Sequence, residues 1–199
     1  MFTYCHNNPL KYVDPSGCVI VLSPDATKEQ TEAYEKAVAY IKKSPTGKQL
    51  VEMLEASDVI FTIVFIDDGD DVGYNAEKKI IRFDTNSGLV MKDGTSVQSP
   101  ALGLAHEMGH AAQDLTGVLS NCVGIEFMIE PFNLRDYETP IAKELDEPIR
   151  ENYGDWTGYM DMNNPTHHRT TYIRPWLHYL LPWNWFKPRV IVTDHNLLD

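Results

Sequence analysis

Hydrophobic and polar positions alternate along this chain in a way that separates strands from helices. Residues 18–22, Cys-Val-Ile-Val-Leu, form a short β-branched run and predict a strand. Ser23-Pro24 then offers an N-cap and a first helical position, followed by a polar helix to about residue 43 with Ala26, Tyr34, Ala37, Val38 and Ile41 as its inner stripe. Ser44-Pro45 starts a second helix to about residue 56, anchored by Leu50, Met53 and Leu54. Residues 58–66 are the strongest strand in the sequence, and residues 79–84 are another. The segment between Asp84 and Gln98 reads as a Gly/Ser/Asn-rich loop. Between the two strands, Asp67-Asp68-Gly69-Asp70-Asp71 lacks the calcium-loop spacing, since Val72 stands where glycine is needed, and reads as a solvated acidic turn.

The next helix carries the chemistry. Ser99 is a good N-cap, Pro100 suits the first turn, and Leu102, Ala105, Met108, Ala112 and Leu115 recur at helical spacing before the stop at Gly117. This stretch contains His106-Glu107-Met108-Gly109-His110, an H-E-x-x-H pattern. Residues four apart share one helix face, so His106 and His110 can reach one ion, while Glu107 points beside it and can take a proton from a water held there. Nitrogen ligands and a position left for water suit zinc. A motif with three fixed letters also arises by chance, with two histidines buried in a core. Two imidazoles and a carboxylate inside an Ala/Leu/Met-rich helix are costly to bury without partners, which favours the metal site.

A third ligand has to come from downstream. The longer pattern H-E-x-x-H-x-x-G-x-x-H fails at Gln113 and Thr116, so a glutamate on a second helix is the natural alternative. Glu130, Glu138, Glu144 and Glu147 compete. Glu130 has the twenty-residue offset from His110 seen in thermolysin-like enzymes, but Pro131 and its surroundings do not read as helix. Residues 138–145 do, with Ile141, Ala142 and Leu145 as an apolar stripe. The segment Glu138-Thr139-Pro140-Ile141-Ala142, followed by Arg150 and Tyr153, resembles the downstream block of H-E-x-x-H toxin and effector peptidases, as does Leu104-Ala105-His106-Glu107 with Gly109-His110-Ala111. That resemblance implies Glu138 as the metal ligand, with Arg150 and Tyr153 supporting the site or the charged intermediate; an ordinary ion pair and a packed tyrosine are the plainer reading. In zinc peptidases of this type an edge strand beside the helix holds extended substrate, and the strands at 59–66 and 79–84 both compete for that role.

Composition narrows the partners. The 199 residues suit one domain, or one domain and an extension, and 43% hydrophobic content supports a core. A net charge of −12 argues against nucleic-acid binding. No apolar run is long enough for a membrane span, and Cys5, Cys18 and Cys122 are too scattered for a disulfide framework or a cysteine zinc site. Met1 is followed by no signal-peptide pattern, so export would use another route or a signal on a longer parent chain.

The N-terminus is specific. Tyr4, Asn7, Asn8, Pro9, Tyr12, Asp14, Pro15 and Gly17 match the segment that closes the core of Rhs/YD-repeat proteins, and this stretch resembles that family's boundary before a variable C-terminal domain. The repeats themselves are missing. The resemblance implies a toxic enzyme delivered to a target cell as part of a larger secreted protein, with a cognate immunity protein as a partner.

Toward the C-terminus, His167 and His168 lie in Asn/Pro/His-rich text that predicts an exposed loop. Trp176, Tyr179, Trp183 and Trp185, broken by Pro175 and Pro182, predict a flap that packs back over the catalytic face, and residues 190–193 a last strand. The expected organisation is therefore a repeat-core remnant at 1–17, an α+β zincin-like metallopeptidase domain at 18–170 with a small mixed or antiparallel sheet on the active-site helix, and an aromatic tail at 171–199. The expected activity is hydrolysis of a protein or peptide substrate with zinc held by His106, His110 and Glu138 and with Glu107 as general base. The competing expectation is an inactive or purely structural metal-binding remnant.

Overall fold

The computed structural model describes residues 20–121, 126–173 and 190–195. Residues 1–17 and the four tail aromatics lie outside them. The architecture is mixed α+β with two small sheets. In the first sheet, β1 (Ile20–Leu22), β2 (Phe61–Phe65) and β4 (Ile80–Phe83) run parallel, and β3 (Gly73–Asn75) closes one side antiparallel to β4, in the order β1-β2-β4-β3. Period-two alternation puts Phe61, Ile63, Ile81 and Phe83 on the buried face.

Between β1 and β2 run α1 (Lys28–Ile41) and α2 (Pro45–Glu55). The first helix begins later than Ser23-Pro24 suggests. Ser23 still donates its backbone N–H to Ile63 O at 2.8 Å, extending the strand, and Thr27 forms the capping box with Gln30 instead. Ser44 caps α2 as expected; Leu50 and Leu54 are buried, whereas Met53 faces solvent.

The expected loop between residues 84 and 98 holds two strands, β5 (Ser87–Met91) and β6 (Val97–Gln98). Asp93 accepts from the N–H groups of Thr95 and Ser96, and Gly94 at φ +70° makes the turn between them. These strands belong to a second, antiparallel sheet of order β7-β5-β6-β8-β9, with β7 at Trp156–Asp161, β8 at His168–Ile173 and β9 at Val190–His195. The expected boundary at residue 170 thus falls inside β8, and the last strand takes its place at this sheet's edge.

The helix α3 (Pro100–Leu115) follows β6 directly and sits at the centre. It packs against α1 and α2 on one side and against β3, β4 and β5 on another. Thirteen of its sixteen residues are buried, as required of a helix that is apolar nearly all round. Leu102, Leu104 and Met108 join the main core, each such burial contributing about 1.5–3 kcal/mol. Past α4 (Val118–Asn121), the chain forms α5 (Glu126–Asn133), a π-helical turn (Leu134–Glu138) and α6 (Thr139–Glu144), and each of these, α4 included, lies against α3 or α2. No helix among the described residues is long and apolar enough to cross a membrane.

Candidate metal centre

The sequence expectation for α3 holds in detail: Ser99 Oγ accepts from Leu102 N at 3.1 Å, and Pro100 occupies the first turn. One turn apart on this helix, His106 and His110 are both buried and meet edge to face, with Nε2 atoms 3.1 Å apart. Glu130, from α5, closes the group: its two carboxylate oxygens lie 3.3 Å from Nε2 of His106 and 3.3 Å from Nε2 of His110. Among the described residues this is the one cluster of histidine and carboxylate groups arranged to hold a metal ion.

The four competing glutamates are sorted by their partners. Glu130 faces the Nε2 atoms. Glu138 is not in that group; it lies on the far side of His106, with Oε2 2.7 Å from Nδ1, and is clamped by Arg150 through Nε at 2.8 Å and through Nη2. Glu144 caps α2 through Ser44 Oγ and the N–H and Oγ1 of Thr46. Glu147 accepts from the N–H of Ser99 at 2.7 Å and from its Oγ at 2.6 Å, placing a carboxylate at the N-terminus of α3. Pro131 does not keep Glu130 out of a helix as its sequence context suggests: α5 runs through that proline. The π-helical turn that follows ends at Glu138 and brings it onto Nδ1 of His106.

Both imidazoles are held from behind. Glu138 takes Nδ1 of His106, and Gln113 Oε1 lies 2.9 Å from Nδ1 of His110 while its Nε2 donates to Ile129 O. Acceptors at both Nδ1 atoms favour the tautomer with a proton there, which leaves both Nε2 lone pairs directed at each other and at Glu130. Such an array is repulsive without a positive charge between its members. Burial would lower the pKa of His106, but Glu130 and Glu138 more than offset this and hold it up at about 10. Burial would raise Glu130, yet its contacts with His106 and His110 draw it down to about 2.

The donors fit a metal ion on two further counts. Two ligands at about 2.05 Å from zinc and at the tetrahedral angle are about 3.3 Å apart, close to the separations seen here. Glu130 Oε2 is buried without a hydrogen bond among the described residues, an orphan that a cation would satisfy. Gly109 allows the approach of α5, because a Cβ there would meet Asn133 Oδ1 at 2.0 Å, and Asn133 Nδ2 donates to His106 O at 2.9 Å.

Beside the cluster opens a cleft lined by residues of β4, β5, α3 and β7. Glu107 lines it, and its carboxylate makes no hydrogen bond to any described residue. Tyr153, about half exposed, stacks on His106 with ring centroids 6.0 Å apart, and Arg150 donates to Tyr153 O. Arg150 is thus an ion-pair partner of Glu138 as well as a wall of the cleft.

Other sequence readings are revised. His168 is buried at the start of β8 with Nδ1 3.3 Å from Tyr40 OH, rather than exposed in a loop, and neither it nor His167 joins the metal group. Neither strand considered for substrate pairing has a free edge: β2 and β4 are paired on both sides, and among the described residues the edges of that sheet belong to β1 and β3. Asn133, Gln113 and Gln98, the last donating to Glu138 Oε1 and Pro148 O, support the site without any spacing pattern that marks them. No protein-family model matches the chain, and comparison with curated proteins and with solved structures returns no match.

Proposed function

We propose that this chain is a zinc-dependent endopeptidase of zincin-like organisation, with zinc held by His106, His110 and Glu130. The observation that carries this reading is the convergence of those three groups beside Glu107, whose carboxylate makes no hydrogen bond among the described residues, in an open cleft. Zinc bound there supplies Lewis-acid polarisation of a peptide carbonyl and lowers the pKa of an attacking water to about 7.

The chain's own groups do the rest. Glu107, free of competing hydrogen bonds, accepts the proton of the attacking water and passes it to the leaving amine. Glu138 and Gln113 hold the two rings in orientation, and Arg150 holds Glu138. Tyr153, whose ring stacks on His106 and lines the cleft, supplies a hydroxyl for a developing oxyanion in this reading. β3 is the open antiparallel edge next to α3, and Val72 just before it lines the cleft, so an extended substrate adds there as a further strand.

The match of Tyr4, Asn7, Asn8, Pro9, Tyr12, Asp14, Pro15 and Gly17 to an Rhs-type boundary supports a role as a delivered toxin or effector acting on a protein in the target cell, countered by an immunity protein. The test is Glu107→Gln. The variant keeps about one zinc per chain by elemental analysis and loses cleavage of a protein substrate by at least about a hundredfold. Full activity in that variant overturns the assigned base, and protein purified without chelator that takes up no zinc overturns the metallopeptidase reading.

A further inference from the structure

One charged side chain in the cleft has no part in the chemistry proposed above. Asp84, at the end of β4, lines the cleft and is only 8% exposed. Its Oδ1 accepts from the N–H groups of Asn86 at 2.9 Å and Ser87 at 3.2 Å. Its Oδ2 accepts no hydrogen bond, and no lysine or arginine pairs with it, among the described residues. That oxygen keeps its solvent contact at the cleft and is open to a donor on a ligand there.

The surroundings say which donor. Trp156 and Tyr159, a tilted aromatic pair with centroids 5.4 Å apart, line the same cleft with Phe83 and Leu89. Aliphatic stems pack on such walls, and aromatic faces attract cations. Burial raises the pKa of Asp84, the two backbone N–H groups oppose that, and the nearby carboxylates of Asp67 and Asp161 raise it further. These acidic groups do not converge as ligands of one ion, which among the described residues only His106, His110 and Glu130 do. A chain of net charge −12 also draws basic partners toward it.

We infer that Asp84 is the floor of a substrate subsite that selects a basic residue, arginine or lysine, whose stem lies against Trp156 and Tyr159 and whose charged head meets Asp84 Oδ2. This deepens the peptidase reading and rests on it for the identity of the cleft.

The test uses the zinc-loaded full chain carrying Glu107→Gln, so that bound peptides survive. One arginine is scanned through a fluorescent Ala/Leu heptapeptide, and each peptide is paired with its uncharged citrulline twin. At one position arginine is expected to bind about tenfold more tightly than citrulline, the scale of a hydrogen-bonded charge. Adding Asp84→Asn should shrink that gap to within about threefold, because the amide oxygen introduced can still accept from Asn86 and Ser87 and so spare the turn. Arginine and citrulline peptides that bind alike at every position, or a gap untouched by Asp84→Asn, overturn the subsite. The same peptides offered to the chain with Glu107 intact keep the two proposals apart. A binding gap without cleavage sinks the peptidase and leaves the subsite; cleavage without a gap does the reverse.

Discussion

Glu138 Oε2 lies 2.7 Å from Nδ1 of His106, on the side of the ring away from Glu130. A carboxylate on Nδ1 orients the imidazole and makes its other nitrogen a better donor to a metal. Glu130 and Glu138 therefore act on the same histidine in different ways, and substitution separates them.

Glu138→Gln is expected to weaken zinc binding about 10- to 100-fold, while Glu130→Gln, which removes a ligand, weakens it more. Competition with a calibrated chelator measures both. Glu138→Gln also leaves Arg150 buried without its countercharge, at about 3–5 kcal/mol, so in zinc-free protein its urea midpoint falls further than that of Glu130→Gln. The reverse order of zinc affinities would exchange the two roles.

Removing the metal should soften the whole domain, because the ligands join α3 to α5 at its centre. With free zinc a thousandfold above Kd, binding stabilises the folded chain by about 4 kcal/mol. For a domain of this size that corresponds to a fall in Tm of about 10 °C on chelation, read by calorimetry. An unchanged Tm would mean that the cluster holds no zinc.

The two glycines of α3 predict opposite outcomes. Gly109→Ala drives a methyl group into Asn133 and is expected to destabilise the fold by about 1–3 kcal/mol, displacing α5 and with it Glu130. Gly103→Ala meets nothing within 4 Å and should stabilise the helix by up to about 1 kcal/mol. Denaturant midpoints of the two variants give the comparison, with zinc affinity falling in the first alone.

Glu147 makes stability depend on pH. Burial pushes its carboxyl up to about 7, although Ser99 and Tyr40 pull the other way. Between about pH 4.5, the ordinary value in an unfolded chain, and pH 7, the folded chain keeps a proton that the unfolded chain has lost. Its contribution is therefore complete at low pH and is lost as pH rises through that window, by up to about 3 kcal/mol. Glu147→Gln should remove this slope in urea midpoints taken at pH 5, 6, 7 and 8. A wild-type curve parallel to the variant's would show the group ionised throughout.

Local patterns and long-range geometry divide the site unevenly. Ser99, Pro100 and the spacing of His106 and His110 are local facts: a cap, a first turn and a 3.6-residue period put both imidazoles on one helix face whatever surrounds it. The strands with β-branched runs were readable on the same grounds. β5 to β8 were not, because Ser87–Met91 and Trp156–Asp161 are short, carry glycine and lack a clean apolar face, so their pairing with each other defines them.

From sequence, then, come the helix, the paired imidazoles, the neighbouring Glu107 and the α+β character of the chain. Which glutamate meets the Nε2 atoms was settled by the fold alone, since the choice depends on how α5 and the π-helical turn lie across α3. Pro131 made Glu130 look misplaced, but the penalty of one missing N–H is local, whereas packing around Gly109 and Asn133 acts across the chain. Asp84 likewise reads as an ordinary strand-end carboxylate until folding sets it in a wall of aromatic rings. Periodicity encodes which face of an element is turned inward; only tertiary contact decides what that face meets.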